Sequence, residues 1–441
     1  MVIRRAYKRD KVNSVDVNAV YARGEQVKSA VIGLDIAKEE IVACLRWGMD
    51  SYERPWSVSN PSEINVLKEI LISLRSKGIE LKVAMESTGT YGDAVRLVLT
   101  KNQFQVYRVS GMHVKNHSET FDGVPSQHDG KDAAVIAELC GIGKGTLWPY
   151  EAPSEFMAEI NYQVRRMDAY QSEKVQWHGR LESLMARHWP ELSQIIKLNR
   201  KTVLRLLSEY GSPEIVGKSE QVPTQLWSWG NGALSEAKAE NIFRSAKTTM
   251  GLPMTTQDQQ WLKEIAQHIL RIDNGVKGCE KKLRALLMKD VFWSGYVKSV
   301  SAGTLGVILS TIGDPRAYTS AGALLKGCGL NLKEVSSGKR KGELAISKRG
   351  PSLIRRWLHF WALRSIQRAE LRDWYYQFHT SQFGGRPRSS THRKMKGLTC
   401  LMRKLMKSLW RSMKDGQPFE YSKLIASKEK RKRRARSRTK Q

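Results

Sequence analysis

The first third of the chain alternates between short apolar runs and stretches with helical spacing. Three apolar runs come first, in SAVIGLDIA, EEIVACLRW and YERPWSVS, and they predict three consecutive strands. Apolar residues then recur every three or four positions (Ile64, Leu67, Leu71, Leu74), which predicts an amphipathic helix. Two further strands, in LKVAMES and FQVYRVS, are separated by a helix in TYGDAVRLVLTKN, and a last helix follows in DAAVIAELCGIG.

This order of elements predicts a mixed sheet. A three-stranded meander followed by two βα crossovers places helices on the faces of a sheet that has both parallel and antiparallel pairs. The order resembles the RNase H-like (RuvC-like) α/β fold, which RuvC-type nucleases and many transposases share. We assign residues 28–150 to this domain and expect residues 1–27 to be a basic, poorly ordered arm.

The middle of the chain, residues 151–295, is predicted to be helical. Residues 154–188 and 255–290 have long runs of helical spacing, and they flank shorter helical pieces at 190–255. The pattern favours an antiparallel coiled-coil arm with an insert. An ordinary helical bundle is the alternative, because Gly275 and Gly278 would weaken a long helix.

The C-terminal third changes in composition. Residues 296–426 begin with a segment rich in glycine, serine and small apolar residues, which predicts short helices joined by tight turns. Basic loops and further amphipathic helices follow, so we predict a mainly α-helical C-terminal domain. In the segment RRWLHFWALR we expect Trp357 and Trp361 to belong to the core and the arginines to face nucleic acid. Residues 427–441 are predicted to be a disordered basic tail.

The charge of the chain narrows the choice of partner. Seventy-four Lys and Arg residues against 43 Asp and Glu residues give a net charge of +31. This charge favours nucleic acid as the partner, with an anionic membrane surface as the rival. No apolar run approaches the length of a membrane span, and the basic N-terminus lacks the apolar segment of a secretory signal. Five scattered cysteines are expected to be reduced and mostly buried, so we expect a cytoplasmic protein.

Four acidic residues are predicted to meet at one edge of the sheet. Asp35 and Glu86 each end a predicted strand, while Asp129 and Asp132 are spaced to share one face at a helix start. Carboxylate oxygens are the ligands that Mg²⁺ prefers, and phosphodiester chemistry uses one or two such ions. For any one of these residues, a surface acid or a helix cap is the alternative.

Three motifs around these acids resemble those of a known family. GLDIAK, MESTGTY and DGKDA are similar to the motifs of DEDD transposases of the insertion-sequence one-ten family, which includes bridge-RNA-guided recombinases and Piv-type DNA invertases. The resemblance continues through TIGDPRAYTSAGALLKGCGL, SSG, ISKRGPSLIRRWL and LMRKLMKSLW, and it covers most of residues 28–424. Two features depart from the pattern: Gln127 and His128 replace the usual Lys-Thr, and KSVSAGTLG lacks the usual Pro-Gly-x-Gly turn.

The resemblance implies a catalytic set. Asp35, Glu86, Asp129 and Asp132 would be the ligands of Mg²⁺ (or Mn²⁺), and Ser337 would be a nucleophile that forms a phosphoserine intermediate, with Ser336 as a less favoured alternative. Basic residues near Ser337 are candidates for nucleic-acid contacts: Lys339, Arg340, Lys341, Lys348, Arg355 and Arg356.

The resemblance also implies a function and partners. The chain would be the transposase of a bacterial or archaeal insertion sequence, nucleoid-associated, acting on donor and target double-stranded DNA under the guidance of a structured RNA. Because the acids and Ser337 fall in different predicted domains, we expect a composite site between protomers in a dimer or tetramer. The alternatives are a Mg²⁺-dependent RuvC-like structure-specific endonuclease, a Piv-type site-specific invertase and a non-enzymatic nucleic-acid-binding protein.

Overall fold

The computed structural model describes residues 8–49, 51–87, 89–337, 340–383 and 391–424, except for the side chains of residues 335–337, 340–343, 382–383 and 391–393. The chain divides into two compact units, residues 1–152 and 153–441. Each unit has its own hydrophobic core.

The first unit is built on one mixed sheet. The eight strands formed by its described residues are β1 (Asp10–Lys11), β2 (Ser29–Ile36), β3 (Glu40–Trp47), β4 (Ser51–Tyr52), β5 (Trp56–Ser59), β6 (Glu80–Glu86), β7 (Gln105–Val109) and β8 (Thr146–Leu147). Their order is β1-β5-β3-β2-β6-β7-β8, with β4 paired to β3. Strand β3 is antiparallel to β2 and β5, whereas β2, β6 and β7 are mutually parallel neighbours. The predicted mixed α/β sheet is therefore confirmed, and its order is compatible with an RNase H-like fold.

Helices cover both faces of this sheet. They are α1 (Val17–Gly24), α2 (Ile64–Ser76), α3 (Asp93–Lys101), α4 (Gly111–Asp122) and α5 (Asp129–Gly141). Side chains of β2 alternate between the faces, as the period of a strand requires. Ile32 and Leu34 pack in the core that includes α2 and α3, whereas Val31 packs in the core that includes α5. Asp35 shares the Val31 face and so lies on the side of α5.

Residues 8–27 correct the expectation of a poorly ordered arm. They form β1, a 3₁₀ turn and α1, and β1 pairs with β5 at the edge of the sheet. The apolar residues Val12 and Val20 are buried, and a Cβ atom at Gly24 would lie 2.3 Å from the ring of Trp47. The segment is basic but has enough apolar side chains to pack on the sheet.

The second unit is mainly helical. The helices of its described residues are α6 (Glu155–His188), α7 (Pro190–Ile195), α8 (Lys201–Tyr210), α9 (Pro213–Lys218), α10 (Val222–Gly230), α11 (Glu236–Lys247), α12 (Thr256–Lys289), α13 (Val291–Val297), α14 (Ala302–Ile312), α15 (Ala321–Gly327), α16 (Ser352–Ser365), α17 (Ala369–Phe383) and α18 (Thr391–Lys414). None of the helices in the described ranges is long and apolar enough to cross a membrane.

Helices α6 and α12 pack against each other in antiparallel orientation. The order of the contacts shows this: Lys174 pairs with Asp273, and the ring centroids of Trp177 and Trp261 are 5.7 Å apart. Helix α12 continues through Gly275, where a Cβ atom would lie 2.7 Å from the ring of Tyr170, so this glycine permits close packing.

Two cores lie along this helix pair. One core includes the C-terminal end of α6, the N-terminal half of α12 and the inserted helices α7–α11. The other core includes the N-terminal half of α6 and the C-terminal half of α12, together with the region after residue 290. The middle and C-terminal regions, predicted as separate domains, thus share a core. Cys44, Cys140, Cys279 and Cys328 are buried free thiols, and Cys400 is half-buried and also free.

The basic segment after residue 331 contains an element that the sequence did not suggest. Instead of a loop it forms a β-hairpin, in which β9 (Leu332–Ser337) pairs antiparallel with β10 (Arg340–Ile346). The alternation of small and charged residues there has no continuous apolar face, so it lacks the usual signal of a strand.

Candidate active site

Asp35 and Glu86 are brought side by side by two parallel strands. Leu34 of β2 pairs with Met85 of β6, so Asp35 and Glu86 are the next residues along their strands. Neighbours at the same level of a parallel pair project to the same face of the sheet. The two acids occupy the carboxyl ends of their strands, where the sheet edge is open, and both are half-buried.

Asp129 and Asp132 are carried to the same edge by the start of α5. Both lie in the first turn of this helix, where carboxylates interact favourably with the helix dipole. The helix packs unusually close to β2, because a Cβ atom at Gly33 would lie 2.0 Å from the backbone oxygen of Ala133. Gly33, two residues before Asp35, therefore permits the approach that places the two pairs of acids near each other.

The four carboxylates lie close enough together to influence one another electrostatically. Burial raises the pKa of Asp35 to about 6, helped by the negative charges of Asp132, Asp129 and Glu86. Burial and the charge of Asp132 also raise the pKa of Glu86. Likewise, burial and then the charge of Asp129 raise the pKa of Asp132. A cation that enters this site relieves this repulsion between like charges.

Glu86 has a further neighbour at the end of the next strand, β7. Strand β7 ends at Val109, opposite Glu86, and α4 begins two residues later at Gly111. A Cβ atom at Gly111 would lie 1.9 Å from Oε1 of Glu86, so only glycine leaves room for this carboxylate.

The donor set suits a hard divalent cation, but the side chains do not converge on one point. Among the described residues, no three His, Cys, Asp or Glu side chains come close enough together to hold one ion. Asp129 also has a competing partner, because Nη2 of Arg9 lies 3.2 Å from its Oδ2. All-oxygen ligands and excess negative charge fit Mg²⁺ or Mn²⁺ in chemistry, provided that Asp129 is released from Arg9.

The predicted nucleophile and three of the predicted basic residues have side chains outside the described residues. Ser337 is the last residue of β9, and its backbone pairs with that of Arg340. Nothing is described of Lys339, or of the side chains of Ser336, Ser337, Arg340 and Lys341. The nucleophilic role of Ser337 remains a prediction.

Two of the remaining basic candidates, Arg355 and Arg356, contact other groups of the protein. Nη1 of Arg355 donates to the backbone oxygen of Gly350 at 2.6 Å, and Arg356 forms an ion pair with Asp168 of α6. Lys348 is exposed just before α16. The expectation that Trp357 and Trp361 belong to the core is confirmed, since they are 5% and 2% exposed.

Comparisons with known proteins agree with this picture. A family model described as a transposase, of the DEDD type found in IS110, matches residues 32–190, which include the four acids. A second model, described as a transposase of the IS116/IS110/IS902 family, matches residues 296–377, which include Ser337. The chain is also 23% identical over 362 residues to the insertion element IS110 uncharacterized 43.6 kDa protein of Streptomyces coelicolor, covering 80% of this chain and 87% of that relative.

Both matched regions are similar to transposases, and the first of them contains the acidic sheet edge. More narrowly, the three matches support a transposase of the IS110 family, in agreement with the resemblance of the motifs. Transposases cut and rejoin DNA, so these similarities support DNA as the substrate.

Proposed function

We propose that this transposase moves its insertion sequence by strand exchange through a phosphoserine intermediate, guided by a structured bridge RNA. The observation that carries the proposal is the grouping of Asp35, Glu86, Asp129 and Asp132 at one sheet edge, where burial, and then the charges of the other three acids, raise the pKa of Asp35. Such a site is suited to bind cations and act on phosphodiesters. The matched C-terminal region supplies Ser337.

The four carboxylates bind Mg²⁺ or Mn²⁺ in this proposal. When bound, the ion neutralises charge on the phosphate and polarises its oxygens. The protein holds the carboxylates on two strand ends and one helix start, which are rigid elements. The half-buried position of Asp35 limits access of water and strengthens its interaction with any cation.

Ser337 forms the covalent bond to DNA in this proposal. Its Oγ attacks the phosphorus atom, the serine loses its proton, and a bond between phosphorus and a deoxyribose oxygen breaks as that oxygen takes up a proton. Attack by a hydroxyl of the second DNA strand reverses these steps and restores the serine. The number of phosphodiester bonds is conserved, so no external energy source is needed.

The remaining partners complete the proposal. The net charge of +31 suits donor DNA, target DNA and a guide RNA bound together. We place the protein in the cytoplasm, associated with the nucleoid, and as a dimer or tetramer.

Trapping the covalent adduct tests the nucleophile. The full-length protein is incubated with DNA that carries a nick near the cleavage site, so that the released strand diffuses away and the adduct accumulates. Mass spectrometry of the digested adduct should identify a phosphate on Ser337. Ser337→Ala should abolish the adduct, whereas the neighbouring Ser336→Ala should retain it. Adduct formation by Ser337→Ala would show that the assignment is wrong.

The same assay distinguishes strand exchange through phosphoserine from the alternative function, a RuvC-like structure-specific endonuclease. If the protein is a RuvC-like endonuclease, hydrolysed ends without attached protein appear, and they persist in Ser337→Ala but not in Asp35→Asn. Guidance by RNA is tested by sequencing RNA that co-purifies with the protein when it is expressed with its flanking DNA. Full strand transfer by RNA-free protein would contradict that part of the proposal.

A further inference from the structure

Lys131 is a buried cation between two of the candidate metal ligands. It lies in the first turn of α5, between Asp129 and Asp132, and its side chain is 0% exposed. A lysine is almost never fully buried unless it is paired. The groups that pair with its ammonium group therefore indicate the role of Lys131.

All three hydrogen bonds of the ammonium group go to one segment. Nζ donates to Oδ1 of Asp122 at 2.6 Å, to the backbone oxygen of Val124 at 2.6 Å and to that of Ser126 at 3.3 Å. An ammonium group has three donors, so these bonds use its full capacity. Asp122 is itself 13% exposed and ends α4.

The acceptors are themselves held in place. Oδ1 of Asp122 also accepts from the backbone N–H of Val124 at 3.0 Å, which fixes the turn after α4. The backbone N–H of Lys131 donates to Nδ1 of His128 at 3.2 Å, which caps α5. The lysine thus connects the end of α4, the following loop and the first turn of α5.

We propose that Lys131 is a positioning residue for the acidic site. By tying the first turn of α5 to Asp122 and the loop carbonyls, it sets where Asp129 and Asp132 lie relative to Asp35 and Glu86. The inference rests on the proposed metal-binding role of the four acids. It adds that the ion pair between Lys131 and Asp122, which includes none of the four acids, governs metal affinity.

If Lys131 only stabilised the fold, its replacement would change the free energy of unfolding and leave metal affinity unchanged. A buried ion pair that is replaced by apolar residues of similar size often leaves stability unchanged or raises it. If Lys131 positions ligands, such a replacement can retain the fold and still lower metal affinity, because groups behind metal ligands typically change affinity about 10- to 100-fold.

The experiment measures Mn²⁺ affinity of the full-length protein by calorimetry, together with thermal unfolding. The variants are Lys131→Met, Asp122→Asn and the double variant Lys131→Met/Asp122→Leu. We expect each to bind Mn²⁺ about 10- to 100-fold more weakly than the wild type. The double variant should be no weaker than Lys131→Met, because both changes disrupt one connection.

Arg23→Met is the matched control. It breaks a half-buried ion pair of the same unit, in which Nη2 of Arg23 lies 2.5 Å from Oε2 of Glu53. This pair does not involve α4 or α5, so the variant should lose stability and keep the Mn²⁺ affinity of the wild type.

The outcomes separate this inference from the proposed function. Folded Lys131→Met that binds Mn²⁺ as tightly as the wild type would overturn the role of Lys131 alone. If Lys131→Met does not fold, the Mn²⁺ affinity of Asp122→Asn provides the same test. This variant keeps the ammonium group and both of its contacts to backbone carbonyls. A wild-type protein that binds no Mn²⁺ would overturn both the metal site and this inference.

Discussion

Arg9 and Asp129 form an ion pair, with Nη2 of the arginine 3.2 Å from Oδ2 of the aspartate. The same guanidinium lies 2.5 Å, Nη1 to Oε2, from Glu40 of β3. Arg9 therefore neutralises one of the four carboxylates that are candidates for metal binding. A metal ion that takes Asp129 as a ligand has to compete with this arginine.

Removing this competitor should strengthen metal binding. Arg9→Gln is expected to raise Mn²⁺ affinity up to about fivefold, because a half-exposed ion pair contributes at most about 1 kcal/mol. Calorimetric titration measures the change. Arg54→Gln is the control, since Arg54 pairs with Asp10 on the same segment at 3.1 Å and does not contact the site. Weaker binding by Arg9→Gln would mean that Arg9 supports the site instead.

Gly33 should tolerate no side chain. Gly33→Ala places a Cβ atom 2.0 Å from the backbone oxygen of Ala133, so α5 has to move away from β2. We expect a loss of about 1–3 kcal/mol in the free energy of unfolding, together with weaker Mn²⁺ binding. Urea unfolding measures the first effect. Gly278→Ala, where nothing lies within 4 Å of the added Cβ, should be neutral or stabilising.

Gly111 should behave differently from Gly33, because its Cβ atom would meet a mobile side chain instead of backbone. Gly111→Ala displaces the carboxylate of Glu86, whose Oε1 lies 1.9 Å from the added atom. Since the side chain can rotate away, we expect a stability change below about 1 kcal/mol but a clear fall in Mn²⁺ affinity. Unfolding and titration of the same preparation measure both. Unchanged affinity would show that Glu86 is not a ligand.

The raised pKa of Asp35 predicts how stability depends on pH in the absence of metal. Because the folded pKa is about 6 and the ordinary value is 3.8, the folded state holds this proton more tightly. The contribution to stability is therefore full below pH 4 and is lost as the pH rises to about 6. Asp35→Asn removes this dependence.

We expect Asp35→Asn to be more stable than the wild type by roughly 1 kcal/mol at pH 7 in EDTA, after allowance for partial exposure to solvent. Thermal unfolding between pH 4 and pH 8 measures the difference. Asp93→Asn, at the start of α3, should show no such gain. If Asp35→Asn keeps the wild-type slope between pH 4 and pH 6, the pKa of Asp35 is not raised by its burial and its acidic neighbours.

The sequence was sufficient to predict the strands and the helix start that carry the four acids. Strand periodicity placed Asp35 and Glu86 at strand ends, and parallel neighbours end at the same edge of a sheet. The i, i+3 spacing likewise placed Asp129 and Asp132 on one helix face. The elements follow from local patterns, whereas the adjacency of the two strands was an expectation from the resemblance to an RNase H-like sheet.

The supporting residues could not be predicted in the same way. The contacts of Gly33, Gly111 and Lys131 depend on the distance between packed elements, which no local pattern reports. Lys131 looks like a solvated lysine between two acids, although its ammonium group is buried. The sequence signal was Gly33, two residues before Asp35, since glycine often marks a close approach of backbone or side chain.

Helices α6 and α12 connect two cores that have no residue in common. Each helix has 34 residues, which corresponds to a rod about 50 Å long. Because the rods are continuous and packed together, the positions of the two cores are coupled through them. A tilt of about 10° at one core moves the other by about 9 Å, according to the helix rise. The core of the inserted helices therefore lies at the opposite end of the helix pair from the core that contains the C-terminal region.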